Sequence, residues 1–172
     1  MRKVVALVGA SSTGKTTAYE LLKNRLPEYS FINESTRTVA KYGFPINEEG
    51  TSETQLAISS FHLQALLTPG DLILDRSYMD LLTYSTHMPD ISEPAFGYIL
   101  STWRRVKKYY THFIYFPIEF TSVDDGVRSV NEEWRIKVDN TFQALLTDVP
   151  HLEVTGSPKQ RIEQILNFIE NE

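Results

Sequence analysis

"VVALVGASSTGKTT" (residues 4–17) decides how this chain is read. Its first half is a continuous β-branched and apolar run, the composition of a central parallel strand buried on both faces. Its second half, from Gly9 to Thr16, fits G-x-x-x-x-G-K-[ST] without a departure. Each fixed position has a chemical reason. The glycines let the backbone curl so that successive N–H groups converge on an oligophosphate. A helix beginning near Lys15 adds its positive N-terminal end. Lys15 can reach the β- and γ-phosphates, and the Thr16 hydroxyl can ligate Mg²⁺. Gly9, Ser11, Ser12, Thr13, Gly14, Lys15, Thr16 and Thr17 are the expected contacts to ATP and its metal.

Outward from this loop, short apolar strands alternate with helical patterns. "YSFIN", "DLILD", "THFIYF" and "HLEV" read as four more strands. Helices are expected after the loop, over "STRTVAKYG", "SETQLAISSFHLQALL" and "YMDLLTYS", from Ala95 to Lys108, and in two C-terminal segments. In "SETQLAISSFHLQALL", Ser52 and Gln55 have capping-box spacing, and Leu56, Ser59, Ser60, Leu63 and Leu67 form the expected inward stripe. Ser129 and Glu132 repeat that spacing ahead of Trp134, Val138, Phe142 and Leu145. Pro158 marks the start of the last helix, with Ile162, Ile165, Leu166 and Ile169 facing inward. The alternation predicts a parallel α/β sheet with helices on both faces, in one domain over residues 1–172.

The totals exclude several function classes. No cysteine is present, so disulfides, thiolate zinc sites and cysteine nucleophiles are ruled out. The formal charge of −5 gives no general pull toward nucleic acid or anionic membrane. "WRRVKK" (residues 103–108) is the one dense basic stretch, and it reads as a solvated helix face. The opening "MRKVVALVGA" has too short an apolar run for a signal peptide or a span, so a cytoplasmic protein is expected. The four histidines lack metal-ligand spacing and are read as structural or surface residues.

Two carboxylates lie at the carboxyl ends of predicted strands, Glu34 and Asp75, where open parallel sheets bind their ligands. One should hold Mg²⁺ together with Thr16, and the other could accept a proton from a substrate hydroxyl. Arg37 and Arg76 stand beside them as candidate substrate contacts. "DDGVRSVNEEWR" supplies Asp124, Asp125 and Gly126 as a polar turn, then Arg128 and Arg135. A lid over residues 117–135 could deliver these arginines to the transferring phosphate and exclude water.

With "GASSTGKTT", "NEST", "LDRS" and "DDGVRS" in that order, the chain resembles the P-loop kinases. More closely it resembles a small AAA-family ATPase group. That group includes ribosylnicotinamide kinase domains, has phage-encoded members, and is related to deoxynucleoside and thymidylate kinases. The more specific pieces are "FPINEEGTSETQL" and "DDGVRSVNEEWR". The resemblance implies a P-loop NTPase α/β/α sandwich with a five-stranded sheet in the order 2-3-1-4-5. It also implies Lys15 and Thr16 at phosphate and metal, Glu34 as base and substrate contact, and Asp75 near the metal. Arg76 would lie on the acceptor side, with Arg128 and Arg135 in the lid. Deoxynucleoside kinases commonly carry Glu-Arg-Ser where this chain has Asp75-Arg76-Ser77, so the base assignment stays open between Glu34 and Asp75.

Three functions fit these residues. The first is a Mg²⁺- and ATP-dependent kinase for a nucleoside, nucleotide or similar small acceptor. The second is a kinase acting on a nucleic-acid hydroxyl, such as a strand end or a hydroxymethylated base. The third is a nucleotide-dependent switch or binding module.

Overall fold

A computed structural model describes residues 2–121 and 131–171. Five strands form one sheet in the order β2-β3-β1-β4-β5. They are β1 (Val4–Val8), β2 (Ser30–Ile32), β3 (Leu72–Asp75), β4 (His112–Tyr115) and β5 (His151–Glu153), and every pairing is parallel. This is the order the kinase resemblance implies. Around the sheet lie α1 (Lys15–Lys23), α2 (Thr36–Lys41), α3 (Ser52–Ala65), α4 (Tyr78–Ser85), α5 (Glu93–Val106), α6 (Glu132–Leu146) and α7 (Pro158–Asn171).

Alternation along β1 divides the core. Val4, Ala6 and Val8 face a cluster with α3, α4, α5 and α6, whereas Val5 and Leu7 face one with α1 and α7. Side chains on a strand point to opposite faces in turn, so a strand covered on both faces must be apolar throughout. The α4 helix is buried at every position. It touches α3, α5 and α6 at once, which fixes the wall between the sheet end and the neighbouring helices.

Two helices depart from the expected pattern. The cap of α3 is Thr51, whose hydroxyl accepts from the Thr54 N–H in a capping box, rather than Ser52 with Gln55. Its inward face is Thr54, Gln55, Ile58, Ser59, His62 and Ala65, while Leu56 and Leu67 are 41% and 82% exposed. The helix lies where its pattern predicts, but apolar periodicity misassigned its inward face because that face is largely polar. Polar side chains are buried where they have partners or line a cavity, and hydrophobicity alone cannot signal either. The α6 helix is capped by Asn131, which accepts from the Trp134 N–H, and not by a Ser129–Glu132 box. Trp134, Val138 and Phe142 face inward as expected, and Leu146 rather than Leu145 completes that face.

Ala95, Ile99, Trp103 and Val106 are buried on α5, while Arg104, Arg105 and Lys108 are exposed. The basic stretch is therefore a solvated helix end. Among the described residues, no helix is long and apolar enough to cross a membrane.

Candidate nucleotide and acceptor site

The loop after β1 closes around its own lysine. Gly9 has φ +137°, and a Cβ there would lie 2.5 Å from the Phe116 carbonyl oxygen, so only glycine lets the loop pass the end of β4. Gly14 caps α1 at φ +93°, and a Cβ there would meet Arg161 Nη1 at 2.8 Å. Lys15 is buried, with Nζ donating to the Gly9 carbonyl at 2.7 Å, to the Ala10 carbonyl, and to Thr13 Oγ1 at 3.2 Å. Burial, and then the neighbouring Arg76, push the Lys15 ammonium down to about 7.

Residues 11–17 line one pocket together with Glu34, Asp75 and Arg76. Thus Ser11, Ser12, Thr13, Gly14, Lys15, Thr16 and Thr17 share a cavity with both expected carboxylates, and Gly9 shapes the loop from outside it. The Ser11 and Ser12 hydroxyls are buried with no hydrogen-bond partner among the described residues. An oligophosphate would supply the acceptors they lack. Ser12 and Arg76 both have positive φ, +55° and +79°, so backbone strain is concentrated at this pocket.

Asp75 ends β3, and Arg76 continues that edge by donating its N–H to the Leu7 carbonyl at 3.1 Å. The Arg76 side chain turns toward Glu34, with Nε 2.6 Å from Oε1, and lies over the Tyr84 ring at 5.0 Å. Burial opposes its charge, but Glu34, Tyr84 and Asp80 together hold it protonated, well above its ordinary value. Arg37 Nε is 3.7 Å from the other Glu34 oxygen. Both arginines expected at the acceptor therefore converge on Glu34.

The donor set of Thr16 and Asp75 fits Mg²⁺. This ion is bound through few protein oxygens, with phosphates and water completing its shell. Among the described residues no group of three or more His, Cys, Asp or Glu side chains that could hold a metal ion is found.

Arg135 is not placed as an arginine to be delivered on closure. It is fully buried; Nε donates to the Ser11 carbonyl at 2.8 Å and Nη2 to that of Ser12 at 3.3 Å. Nη1 donates to the Phe120 carbonyl and the Glu132 carboxylate, each at 2.9 Å. The sequence shows an arginine three residues after a glutamate on a helix but not which side of the helix meets the loop. Asp124, Asp125, Gly126 and Arg128 lie outside the described residues, and with them the central part of the expected lid.

Arg161, which the sequence did not single out, supports the loop from α7. It donates to the Thr13 carbonyl at 2.7 Å, pairs with Glu119, and lies 5.6 Å from the centres of both Phe116 and Phe120. Beside it, Phe120, Gly156, Pro158 and Arg161 line a cavity that reaches Ser12 and Gly14.

On the other side of Arg76 lies a second cavity, lined by Thr54, Gln55, His62, Asp80, Tyr84 and Met88 among others. Arg76 borders both this cavity and the phosphate pocket. Gln55 is buried, its Nε2 donating to the Met88 sulfur at 2.9 Å and its Oε1 accepting from Ser85 at 3.2 Å. A thioether is a weak acceptor, so a ligand carbonyl could take its place. Asp80 had one readable signal, its place three residues after Ser77 in "DRSYMD".

His62, read from sequence as structural or surface, is a buried cavity residue held down at about 4 by burial and then by Arg76. Its folded value lies below the unfolded 6.5, so the unfolded chain binds the proton first as pH falls. His62 should cost stability progressively from pH 6.5 down to about 4, by at most about 3 kcal/mol. Urea midpoints measured across this range should fall less steeply for His62→Gln than for the parent chain. Parallel curves would mean that His62 protonates freely in the fold.

Residues 4–164 match the family model described as AAA domain. Among curated proteins no sequence matches. Among solved structures, the chain is similar to deoxyadenosine kinase from M. mycoides with products dCMP and a flexible dCDP bound. That match has TM-score 0.76 and 15% identity, covering 97% of this chain and 98% of that one. A NadR protein in complex with NR has the same TM-score at 16% identity, covering 99% of this chain and 50% of that one. Thymidylate kinase from Candida albicans matches with TM-score 0.70 and 14% identity, covering 98% and 91%. At such identities these likenesses show the shared fold.

Proposed function

The chain belongs to the AAA domain family, and from that premise and the site's geometry we propose an ATP- and Mg²⁺-dependent kinase. It would move the γ-phosphoryl to a hydroxyl or phosphate of a nucleoside, nucleotide or similar small molecule. The observation that carries this reading is that the phosphate loop, Glu34, Asp75 and Arg76 share one pocket, and that Arg76 joins it to a second, partly polar cavity. The printed names of the similar structures, kinases of deoxyadenosine and of thymidylate among them, support the same reading by fold analogy.

In this reading residues 11–17 hold the triphosphate, and the cavity at Phe120 and Arg161 takes the donor base. Lys15 offsets charge on the β- and γ-phosphates. Thr16 and Asp75 would hold Mg²⁺, which would neutralise charge on the phosphate oxygens when bound. Arg76 and Arg37 orient the acceptor around Glu34. As the acceptor oxygen bonds to the γ-phosphorus, the bond to the β–γ bridging oxygen breaks and ADP leaves. The hydroxyl proton passes to Glu34, or to Asp75 should that residue be the base.

The test is transfer of labelled γ-phosphate from ATP–Mg²⁺ to a panel of ribo- and deoxynucleosides, their monophosphates and hydroxymethylated DNA. Label on a small molecule is the expected result. Label on DNA alone would favour a nucleic-acid kinase, and label on nothing, with nucleotide bound, a switch or binding module. Glu34→Gln should lower kcat by roughly 10²–10⁴-fold. An equal loss with Asp75→Asn alone would move the base to that residue.

A further inference from the structure

The second cavity carries a carboxylate whose bonding is incomplete. Asp80 is 2% exposed. Its Oδ2 accepts from the Ser77 N–H at 2.8 Å and from the Ser77 hydroxyl at 3.0 Å, closing the box that caps α4. Its Oδ1 is buried with no hydrogen-bond partner among the described residues, 3.9 Å from Arg76 Nη1. A buried carboxylate oxygen lacking a donor is unfavourable, and the residue lines the cavity, where a ligand can bring one.

The charges around the cavity restrict what that ligand is. Arg76 is the permanent cation among the described residues that line it, and it is shared between Asp80 and Glu34. His62 is neutral at pH 7, and the Lys15 ammonium is turned to the loop's own oxygens. With Arg37 also on Glu34, two guanidiniums face two carboxylates, which leaves no surplus positive charge. A phosphomonoester needs uncompensated cationic donors, and here it would set its oxygens against Oδ1, acceptor against acceptor. A hydroxyl or amino group would instead give Oδ1 the proton it lacks. Burial pushes the Asp80 carboxyl up to about 6, against Arg76 and Lys15, so it is still mostly ionised at pH 7.

We infer that Asp80 is a specificity-determining residue: Oδ1 receives a hydrogen-bond donor from a neutral or cationic hydroxyl acceptor, such as a free nucleoside, and its charge turns phosphorylated acceptors away. This rests on the reading of the cavity as the acceptor site of a kinase, and narrows that reading to unphosphorylated acceptors.

The experiment is γ-phosphate transfer to matched pairs of nucleosides and their 5′-monophosphates, by the parent chain and by Asp80→Asn. The asparagine keeps an oxygen for Ser77, so the cap survives, but its NH₂ presents a donor where Oδ1 presented an acceptor. The parent should label the preferred nucleoside at least about 100-fold more efficiently than its monophosphate, equivalent to about 2.7 kcal/mol. Asp80→Asn should raise the nucleoside KM about tenfold, leave the KM for ATP and the melting temperature in place, and narrow the discrimination against the monophosphate. A parent chain that prefers monophosphates would overturn the inference and leave the kinase reading standing. Unchanged nucleoside KM and discrimination in Asp80→Asn would reduce Asp80 to a helix cap. No label on either series would remove the kinase reading, and this inference with it. The comparison within the parent chain decides the acceptor class even if the variant fails to fold.

Discussion

Lys15→Ala is expected to lower phosphoryl transfer roughly 10³-fold while leaving the ligand-free fold as stable as before. The two halves of this expectation have one cause. Lys15 is buried beside Arg76, and desolvation works against its charge, holding it near 7. Its hydrogen bonds to Gly9, Ala10 and Thr13 replace hydration without a counter-ion of comparable strength. An ammonium in that position contributes little to folding, because its transfer from water offsets what those bonds return. Bound phosphate changes the balance, since the charge then meets a partner whose negative charge grows during transfer. Steady-state transfer rates and thermal unfolding without nucleotide measure the two halves separately. Transfer within tenfold of the parent would remove Lys15 from the phosphate site.

Arg135→Ala is the opposite case, with the main loss in the fold. Arg135 ties α6 to the phosphate loop through the Ser11 and Ser12 carbonyls, and to the segment after β4 through Phe120. Truncation leaves these acceptors without a donor. Its partner Glu132 is half-exposed and returns to water, so the penalty comes from the carbonyls. The expected destabilisation is about 3 kcal/mol, read from urea unfolding, with weaker nucleotide binding because the loop loses its support. Arg135→Lys should recover only part of it, since an ammonium cannot span the same acceptors in one plane. Unchanged unfolding with a large fall in kcat would reinstate Arg135 as an arginine that touches the transferring phosphate.

The contrast between these lysine and arginine positions shows what kind of information the sequence carried. Lys15 was legible because its role is local. Strand, turn and helix start lie within a dozen residues, and the loop's hydrogen-bond geometry depends on little outside them. Glu34 and Asp75 were legible one step further out, as carboxylates at strand ends, because parallel sheets gather their ligand-facing residues there. Arg135 was legible as a charged residue near the site, but not as a strut. Whether a helical arginine meets backbone carbonyls or solvent depends on how the helix docks, and α6 docks with its arginine turned under the loop.

The α3 helix shows the same limit from the apolar side. The exposed Leu56, with Leu67 just past the helix end, made one face look like core, while Thr54, Gln55 and His62 on the inner face carry no apolar signal. Hydrophobic periodicity assumes that the interior is apolar, and at a cavity wall the assumption fails. The failure is itself informative, because a buried polar stripe without an apolar reason to be there marks the cavity.

By itself, the sequence determined the alternation of strands and helices, the phosphate loop and the two strand-end carboxylates, since each rests on short-range periodicity or local backbone chemistry. Only the tertiary structure decided which charges meet: Arg76 held between Glu34 and Asp80, Arg135 and Arg161 bracing the loop, and a second cavity opening beside the first. Apart from Arg76 and Asp80, four residues from each other, those contacts join residues far apart in the chain, and in a folded protein such pairings follow from how whole elements pack, which no local pattern encodes.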